Sequence, residues 1–406
     1  MKQMMILADD LTGALDTGAF PVSCNKEVLV YTNVAAYGED ARDRDVISIN
    51  MASRIMSKEE AYRVHFRLSQ EIEDYKGDII KKLDMGFRGN PATEIEALLN
   101  GLGRDCCFIL PALPDFNTFT LYGYQYVKGC ILQESVYKND PIHKPFSSYV
   151  PEIFSKTCSM KVDAVNIDEV KGESLPECVA EKIASGAKII IFDAVSNEDC
   201  SKIVNTLSTV YPSAIWAGTL GLLQAVTMRL FGNLLPFVHK IRDIKSACFS
   251  GTKYDATAEQ IRQAAQGGLQ IVHLDIDAAA ESPAKALEQA AQSCVEANRR
   301  GDFVVVPKVS QNCAVPDLHN FITHAMAECA QLVLGQVNIQ RVAIIGGETA
   351  AAIFGKFNVT KLLLKQKPES GIASGIFEDG ALKGLEFATK GGSVGTVHAF
   401  EKMLCK

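Results

Sequence analysis

The chain has 406 residues, of which 47% are hydrophobic and 22% charged, and its formal net charge is −7. This composition is that of a globular protein with apolar material for two or three domains. The negative balance argues against a general nucleic-acid binder, which needs clustered Lys and Arg, but it allows a small anion in a local basic pocket. No apolar run reaches the roughly 18 residues of a transmembrane helix, so we expect no membrane partner.

The 12 cysteines have no CxxC pair and no regular spacing. Residues 1–20 contain one Lys, three Asp and no long apolar segment, so they do not resemble an export signal. We therefore expect a cytoplasmic protein whose thiols are reduced and mostly buried. Because no Cys/His cluster has ligand spacing, we expect no dedicated metal site.

In the first half of the chain, short β-rich runs alternate with longer helical patterns, which is typical of an α/β fold with mainly parallel sheets. Ser57 and Glu60 have the spacing of a capping box and predict a helix over 57–75. Asn90, followed by a proline, predicts the start of a second helix over 90–103. The predicted strands of this half are 4–8, 28–31, 45–49, 79–83, 107–110, 164–167, 188–192 and 214–217.

A second strand–helix series follows the predicted linker 232–245, so we expect two α/β domains, 1–235 and 236–406, with a cleft between them. The loop 114–150 is rich in Tyr, Phe, Asn and Pro, and it resembles a lid or a homodimer interface more than a core element. The strands predicted in the second series are 247–251, 271–275, 303–307, 341–347 and 385–392, and the helices are 254–266, 284–299, 316–334 and 348–357.

Two adjacent carboxylates, Asp9 and Asp10, follow the predicted strand 4–8. Taken alone, they are best interpreted as the cap of a helix, whose dipole also favours negative charge at its N-terminus. A haloacid-dehalogenase-type phosphatase also ends its first strand with an Asp, but its signature is Asp-x-Asp-x-Thr. Because the two acids are adjacent here, the sequence argues against that phosphatase.

Charged side chains follow other predicted strands as well, at the positions where open α/β sheets bind ligands. Each has a structural explanation by itself, Arg54 as a surface residue and Lys82 as a snorkelling lysine. Together, the cations suit a substrate carboxylate, and the aspartates suit its hydroxyls or a proton transfer. That combination fits a small polyhydroxy acid. The residues are Arg54 in "NMASR" (50–54) and Lys82, Asp84, Arg88 and Asn90 in "KKLDMGFRGNP" (81–91).

Three glycine-containing turns follow predicted strands in the second half: "CFSGTKY" from residue 248, "AIIGGET" from 343 and "ATKGGSVG" from 388. Glycine lets a backbone approach phosphate oxygens, and a helix N-terminus presents free N–H groups. None of the turns matches the Walker sequence or the dinucleotide fingerprint. Tight packing of a helix on a strand explains any one of them, but three in one half predict a nucleotide site.

At this point the sequence resembles a known family, the four-carbon acid sugar kinases, which include D-threonate, D-erythronate and 3-oxo-tetronate kinases. The resemblance spans essentially the whole chain. It implies an acid-binding domain followed by a nucleotide-binding domain, and phosphorylation of a hydroxyl of a four-carbon sugar acid by ATP with Mg²⁺. The motifs that carry it, in the family's order, are "LADDLTGA" (7–14), "KKLDMGFRGNP" (81–91), "PALPDF" (111–116), "DAVSNED" (193–199), "AGTLGL" (217–222), "SGT" (250–252), "GGETA" (346–350) and "TKGGSVG" (389–395).

The resemblance also implies roles for individual residues. It implies that Asp9, Asp10, Arg54, Lys82, Asp84 and Arg88 line the substrate site. From the chemistry of these residue types, we expect catalytic roles for Asp9, Asp10, Lys82 and Arg88, and substrate contacts from Arg54, Asp84 and Asn90. The resemblance implies ATP contacts from Ser250, Gly346, Gly347, Glu348, Thr349 and Gly392. The expected partners are therefore a small sugar acid and ATP.

The sequence departs from the usual family pattern at several positions. Met85 and Gly86 replace a Ser-Thr pair, and the stretch 117–120 lacks the usual Arg. Most of the departures lie in the acid-binding half, so they bear on the identity of the acid more than on the use of ATP. The alternative is a protein that binds an acid and a nucleotide with little or no transfer, such as a sensor or an accessory subunit.

Overall fold

The computed structural model describes residues 2–41, 43–140, 142–236, 241–369 and 371–406. Its contacts divide the chain into two units. The first unit comprises Met1–Cys24 and Asn33–Leu234, and the second comprises Asn25–Thr32 and Leu235–Lys406. Part of the predicted linker, residues 237–240, lies outside the described residues.

Strands and helices alternate through most of the chain. The strands are β1 (Met4–Ala8), β2 (Val28–Tyr31), β3 (Val46–Asn50), β4 (Asp78–Lys82), β5 (Cys107–Leu110), β6 (Phe119–Leu121), β7 (Tyr124–Val127), β8 (Cys130–Ile131), β9 (Val162–Val165), β10 (Ile189–Phe192), β11 (Ile215–Gly218), β12 (Ser246–Ser250), β13 (Gln270–Asp275), β14 (Phe303–Lys308), β15 (Arg341–Ile345), β16 (Lys361–Gln366), β17 (Ile372–Phe377) and β18 (Glu386–Lys390). The α-helices are α1 (Leu11–Val22), α2 (Lys58–Glu71), α3 (Pro91–Leu102), α4 (Val150–Ser155), α5 (Ile167–Lys171), α6 (Leu175–Ala184), α7 (Asn197–Val210), α8 (Leu220–Phe231), α9 (Asp255–Gln266), α10 (Ile276–Glu281), α11 (Pro283–Arg300), α12 (Leu318–Leu334), α13 (Gly347–Lys356) and α14 (Ala399–Met403).

The main sheet of the first unit has the order β3-β1-β4-β11-β5-β10-β9. Its strand pairs are parallel. The register places Ala8, the last residue of β1, beside Asn50 of β3 and Lys82 of β4. Because parallel strands end at one edge, the segments that follow these three strands start side by side.

Helices α2 and α3 pack against each other in the first unit. Ser57 and Glu60 form the predicted capping box at the start of α2. Helix α3 starts at Pro91 and ends before Gly103, whose left-handed backbone (φ 60°) stops the helix. Both helices agree with the sequence-based prediction to within a few residues.

The second unit has the strand order β13-β14-β12-β15-β18-β17-β16-β2. Strands β12 to β15 and β18 pair in parallel, whereas β16, β17 and β2 add antiparallel pairs. Strand β2, although early in the sequence, pairs with β16, which explains why residues 25–32 belong to the second unit. Each unit thus has a largely parallel sheet with helices, and the predicted α/β class is confirmed.

The segment 114–150 is not an irregular loop. It contains the small antiparallel sheet β6-β7-β8, with Val127 and Leu132 buried. Phe116, Val136 and Phe146 of the same segment are exposed. In the described part of the chain, no helix is long and apolar enough to cross a membrane, and none of the cysteines forms a disulfide bond.

A buried ionic cluster lies beneath the edge formed by β3, β1 and β4. The ammonium of Lys81 is 2.8 Å from Glu94 Oε2, and the hydroxyl of Ser53 donates to Glu94 Oε1 at 2.5 Å. Burial would raise the pKa of Glu94, but the Lys81 charge outweighs it and that pKa falls to about 2. Burial lowers the pKa of nearby His65 to about 4, so this imidazole is neutral near neutral pH. The Lys81–Glu94 pair therefore fixes the loop that contains Ser53.

We expect Lys81→Met to destabilise the first unit by about 3–5 kcal/mol, because it leaves the Glu94 carboxylate buried without its partner. Trp216 of β11, the only tryptophan of the chain, is buried in this unit and reports its unfolding in urea. The double variant Lys81→Met with Glu94→Gln should recover part of the loss, because no uncompensated charge remains. A Lys81→Met protein as stable as the wild type would contradict this account.

Candidate functional site

Six predicted residues of the first unit lie together at one sheet edge, where the segments after β3, β1 and β4 start. We call them the strand-end cluster: Asp9, Asp10, Arg54, Lys82, Asp84 and Arg88. Asp9 and Asp10 follow β1, Arg54 lies after β3, and the other three lie at and after the end of β4. Their proximity follows from the strand order and the register of Ala8.

The two adjacent aspartates have different surroundings. Asp10 is the N-cap of α1, and its Oδ1 accepts a hydrogen bond from the Gly13 N–H at 2.8 Å. Its side chain is 28% exposed, whereas that of Asp9 is 5% exposed. The helix-cap interpretation therefore applies to Asp10, and Asp9 needs another explanation for its buried charge.

That explanation is Arg54. Its Nε and Nη2 donate to the two oxygens of Asp9 at 2.7 and 3.0 Å, and its Nη1 donates to Asp10 Oδ2 at 2.6 Å. One guanidinium thus bridges both aspartates, with a bidentate fork on the buried one. The backbone supports this geometry, because the Arg54 N–H also donates to the Asp9 carbonyl at 3.2 Å.

The second acid–base pair of the cluster is Asp84 with Arg88. Arg88 donates from Nε and Nη2 to the two oxygens of Asp84 at 3.1 and 2.8 Å. Its Nη1 is 3.6 Å from Asp140 Oδ2, and its guanidinium lies 5.2 Å from the centre of the Tyr137 ring. The position of Arg88 is therefore fixed by Asp84, Asp140 and Tyr137.

These contacts shift the pKa values of the two buried aspartates in opposite directions. Burial raises the pKa of Asp9, and the positive charge of Arg54 offsets this only in part. Burial also opposes ionisation of Asp84, but hydrogen bonds from Arg88 and the charges of Arg88, Arg54 and Lys82 outweigh it, and its pKa falls to about 2. Asp84 therefore stays ionised, whereas the raised pKa of Asp9 makes this carboxylate the one that accepts a proton more readily.

Lys82 has the fewest protein contacts of the three cations. Its ammonium donates to the Leu83 carbonyl at 2.5 Å, and its side chain is largely buried. An ammonium has three donors, so Lys82 retains capacity for an anionic ligand. Arg54 uses three of its five N–H groups on Asp9 and Asp10, which leaves one on each terminal nitrogen.

Asn90 has a mainly structural contact in this structure. Its side-chain amide donates to the Met56 carbonyl at 2.9 Å and so ties the 84–90 segment to the loop that contains Arg54. Gly89 allows this approach, because a Cβ there would be 3.3 Å from the Arg54 Cα, and its φ is +83°.

In the second unit, the three predicted glycine turns follow the neighbouring strands β12, β15 and β18. We call Gly251, Gly346, Gly347 and Gly392 the glycine cradle. A Cβ on Gly251 would lie 2.2 Å from the Thr349 hydroxyl, and one on Gly392 would lie 2.3 Å from the Thr252 hydroxyl. Both glycines are therefore required where the turns pack together. The Ser250 hydroxyl is buried at the end of β12 and has no hydrogen-bond partner among the described residues.

Helix α13 starts in the glycine cradle, with Gly346 as its N-cap and Gly347 as its first residue. Such a ten-residue helix presents free N–H groups and the positive end of its dipole at Gly347, Glu348 and Thr349. The Glu348 side chain is exposed and pairs with His319 of α12. A contact from Glu348 to a phosphate would therefore use its backbone N–H rather than its carboxylate.

Within the described ranges, no group of three or more His, Cys, Asp or Glu side chains has a geometry suited to a metal ion. The aspartates of the strand-end cluster are occupied by Arg54 and Arg88. A Mg²⁺ ion would thus have to be held mainly by the phosphates of a bound nucleotide and by water, which is a common arrangement for this ion.

Comparison with known proteins finds two family domains in this chain. Residues 4–226 match the sugar-binding N-terminal domain, and residues 247–400 match the nucleotide-binding C-terminal domain. The chain belongs to the four-carbon acid sugar kinase family. The family prediction made from the motifs is confirmed.

Three curated relatives illustrate the family. A D-threonate kinase of Salmonella typhimurium is 25% identical over 99% of both chains. A D-erythronate kinase of Heliobacterium modesticaldum is 28% identical over 50% of this chain and 48% of the relative. A 3-oxo-tetronate kinase of Haemophilus influenzae is 28% identical over 50% of this chain and 51% of the relative.

Two solved structures share the fold. A protein of Salmonella typhimurium LT2 superimposes with a TM-score of 0.85 at 18% identity, over 99% of this chain and 98% of that protein. A protein of Haemophilus influenzae superimposes with a TM-score of 0.80 at 23% identity, over 98% of this chain and 99% of that protein. At this identity the likeness concerns the fold alone.

Sequence reasoning missed Tyr137 and Asp140, which contact Arg88 from a segment some fifty residues away. One signal was available, namely Gly86 in the 81–91 motif. A Cβ on Gly86 would lie 2.7–2.8 Å from three atoms of the Tyr137 ring. The absence of a side chain at position 86 is therefore what lets Tyr137 pack beside Arg88.

We expect Gly86→Thr to displace Tyr137 from Arg88, because no real Cβ tolerates contacts this short. The variant should lose thermal stability and bind the acid substrate at least tenfold more weakly, measured as KM. Adding Tyr137→Ala should restore stability, since it empties the space that the new side chain needs. The steric interpretation is wrong if Gly86→Thr alone melts and binds like the wild type.

Proposed function

We propose that this family member transfers the γ-phosphoryl group of ATP to a hydroxyl of a four-carbon sugar acid such as threonate, erythronate or 3-oxo-tetronate. The observation that carries the proposal is the strand-end cluster, in which Arg54 bridges a buried and an exposed aspartate. Curated relatives named for these kinase activities support transfer rather than the alternative of a non-catalytic sensor or accessory subunit.

In this proposal the cluster recognises both kinds of group on the acid. Asp10 would accept a hydrogen bond from a substrate hydroxyl, while Lys82 and the remaining N–H groups of Arg54 and Arg88 would bind the substrate carboxylate. Asp84, whose two oxygens accept from Arg88 and from the Gly86 N–H, would contact the substrate at the rim of this site and hold Arg88 in place. The aspartates also neutralise the positive charges of the cations, so the site would not bind every anion. It would therefore select an acid that carries hydroxyls in reach of the carboxylates.

We assign the proton-accepting role to Asp10 and a positioning role to Asp9. Both oxygens of Asp9 are held by Arg54 and the side chain is buried. Asp10 is more exposed, so an attacking hydroxyl could reach it. In a loose phosphoryl-transfer transition state, the hydroxyl proton leaves late, so a weakly basic carboxylate suffices.

The glycine cradle is the proposed ATP site. Backbone N–H groups at Gly347, Glu348 and Thr349 would bind phosphate oxygens, and the buried Ser250 hydroxyl could add one more hydrogen bond. Mg²⁺ bound to the phosphates would neutralise charge that develops during transfer. We include Mg²⁺ as part of the nucleotide substrate.

The structure of a domain of unknown function from Bordetella bronchiseptica is a domain-swapped dimer with bound citrate; it is 20% identical to this chain, and its TM-score is 0.50. The exposed apolar side chains of the 114–150 segment offer a contact surface in this chain. We therefore retain a homodimer as part of the proposal.

The function is tested by measuring ADP release from ATP and Mg²⁺ with a panel of D- and L-tetronates, 3-oxo-tetronates and longer aldonates. We expect one four-carbon acid to stimulate release at least a hundredfold over the acid-free rate. If ATP shifts the melting temperature but no acid in the panel stimulates release, the binding-protein alternative is supported instead.

We expect Asp10→Asn to reduce kcat by about 10²–10⁴-fold, the usual contribution of a general base. Asparagine is as good an N-cap as aspartate, so the Gly13 hydrogen bond should persist. The new amide nitrogen would face Arg54 Nη1 at this partly exposed position, so we expect a smaller drop in melting temperature than in Asp9→Asn. The measurements are steady-state kinetics on the best acid and a thermal melt.

Asp9→Asn is the matched control. Its new amide group would face the donating nitrogens of Arg54, so we expect a lower melting temperature and a higher KM for the acid. Full activity in Asp10→Asn, or loss of turnover in Asp9→Asn at unchanged stability and KM, would reverse the two roles.

A further inference from the structure

Lys390 is a buried lysine at the end of β18, and it connects the turns of the glycine cradle. Its backbone carbonyl accepts a hydrogen bond from the Gly346 N–H at 3.0 Å, which ties β18 to the turn before α13. In the sheet it lies beside Ile345. Its side chain is 4% exposed.

The Lys390 ammonium is surrounded by oxygens. It donates to the Thr257 hydroxyl at 3.0 Å, to the Gly391 carbonyl at 3.1 Å and to the Val394 carbonyl at 3.3 Å. The Thr257 hydroxyl in turn donates to the Gly392 carbonyl at 2.6 Å. Three donors and three acceptors match when the amine is protonated.

One residue thus links three turns. The Lys390 carbonyl accepts from the turn that follows β15, and its ammonium donates to carbonyls of the turn 391–396 that follows β18. The ammonium also donates to Thr257, which lies in the first turn of α9, after β12. Gln260 adds hydrogen bonds to the carbonyls of Val394, Gly395 and Thr396. The carbonyls of Gly391, Gly392, Val394, Gly395 and Thr396 therefore accept hydrogen bonds from Lys390 and from residues of α9.

The electrostatic surroundings of Lys390 do not include a direct carboxylate partner among the described residues. Glu369 acts on it from a distance and is itself bonded to Thr396 and Lys402. The Cys248 thiol of β12 is also near, and burial keeps it neutral by raising its pKa. Burial lowers the pKa of Lys390 from 10.5 to about 8.

We propose that Lys390 is a positioning residue whose protonated ammonium holds the turn 391–396 in the conformation that binds nucleotide phosphates. The inference rests on the proposed function, because nucleotide binding at the glycine cradle is itself a proposal. A neutral amine has one donor fewer and turns a lone pair toward an oxygen, so the turn loosens and the local positive charge disappears.

The protonation state has opposite effects on binding and on stability. Between about pH 7 and about pH 9 the protonated fraction falls from about nine-tenths to about one-tenth for a pKa of about 8. Nucleotide affinity should therefore fall about tenfold. Between pH 8 and pH 10.5, Lys390 is more often protonated in the unfolded chain than in the folded protein. The contribution of Lys390 to the free energy of unfolding therefore rises with pH over this range.

The test is calorimetric titration of ATP with magnesium chloride into the full-length protein at about pH 7, 8 and 9. The last ionisation of a terminal phosphate has a pKa of about 6, so at least about nine-tenths of the nucleotide is already fully ionised at pH 7, and its charge changes little up to pH 9. We expect the Kd of the wild type to rise about tenfold, and Lys390→Met to bind at least tenfold more weakly at pH 7 with no pH dependence. Lys383→Met, which removes an exposed lysine of the same unit, should behave like the wild type.

Two further variants keep the proposal falsifiable if Lys390→Met folds poorly. Lys390→Arg stays charged and should flatten the pH profile, whereas Thr257→Val should weaken binding and keep the pH dependence. A wild-type Kd that does not change with pH, or an unchanged pH profile in Lys390→Met, overturns the inference while leaving the kinase proposal intact. No ATP binding by the wild type at any of these pH values would instead refute the proposed nucleotide site.

Discussion

The site of the first unit depends on one interaction, the contact of Arg54 with Asp9 and Asp10. Two adjacent carboxylates at the end of a buried strand repel each other, and each buried ion costs several kcal/mol in lost hydration. The guanidinium compensates both, and it needs a fixed loop to do so. That loop is held by the Arg54–Asp9 backbone hydrogen bond, by Asn90 and by the Ser53 bond to Glu94, so the buried Lys81–Glu94 pair supports the geometry at the surface.

This compensation has a consequence for recognition. Asp9, Asp10, Asp84 and Asp140 face Arg54, Lys82 and Arg88, so carboxylates outnumber cations around the site. Under the proposed function, a simple carboxylic acid would gain little here, since it would compete with aspartates for donors that are already used. An acid with hydroxyls would gain more, because a hydroxyl would donate to Asp10 while the carboxylate used the remaining donors. This arrangement of charges supports the proposal of a polyhydroxy acid.

Much of this was predictable from sequence, and the failures have a common cause. Strand-end residues such as Asp9, Arg54 and Lys82 could be grouped because parallel strands place their ends at one edge. The pairing of Arg54 with both aspartates, and the packing of Tyr137 on Gly86, depend on contacts distant in sequence. Strands β16 and β17 were missed for the same reason, since short apolar runs do not reveal antiparallel partners. Strand β2 was found, but its place in the second unit depends on β16, which no local pattern encodes.

The two candidate sites differ in how they use charge. In the first unit, the charged side chains are paired, so their donors and acceptors are fixed in direction, which would suit discrimination among similar acids. The second unit would bind phosphates that are alike in all nucleotides, so neutral backbone N–H groups and glycines suffice there. Such a cradle needs its turns held rigidly, because a backbone N–H cannot reorient as a side chain can. In the proposed arrangement, Lys390 holds these turns through its three hydrogen bonds. It also adds a positive charge that has no direct aspartate partner among the described residues.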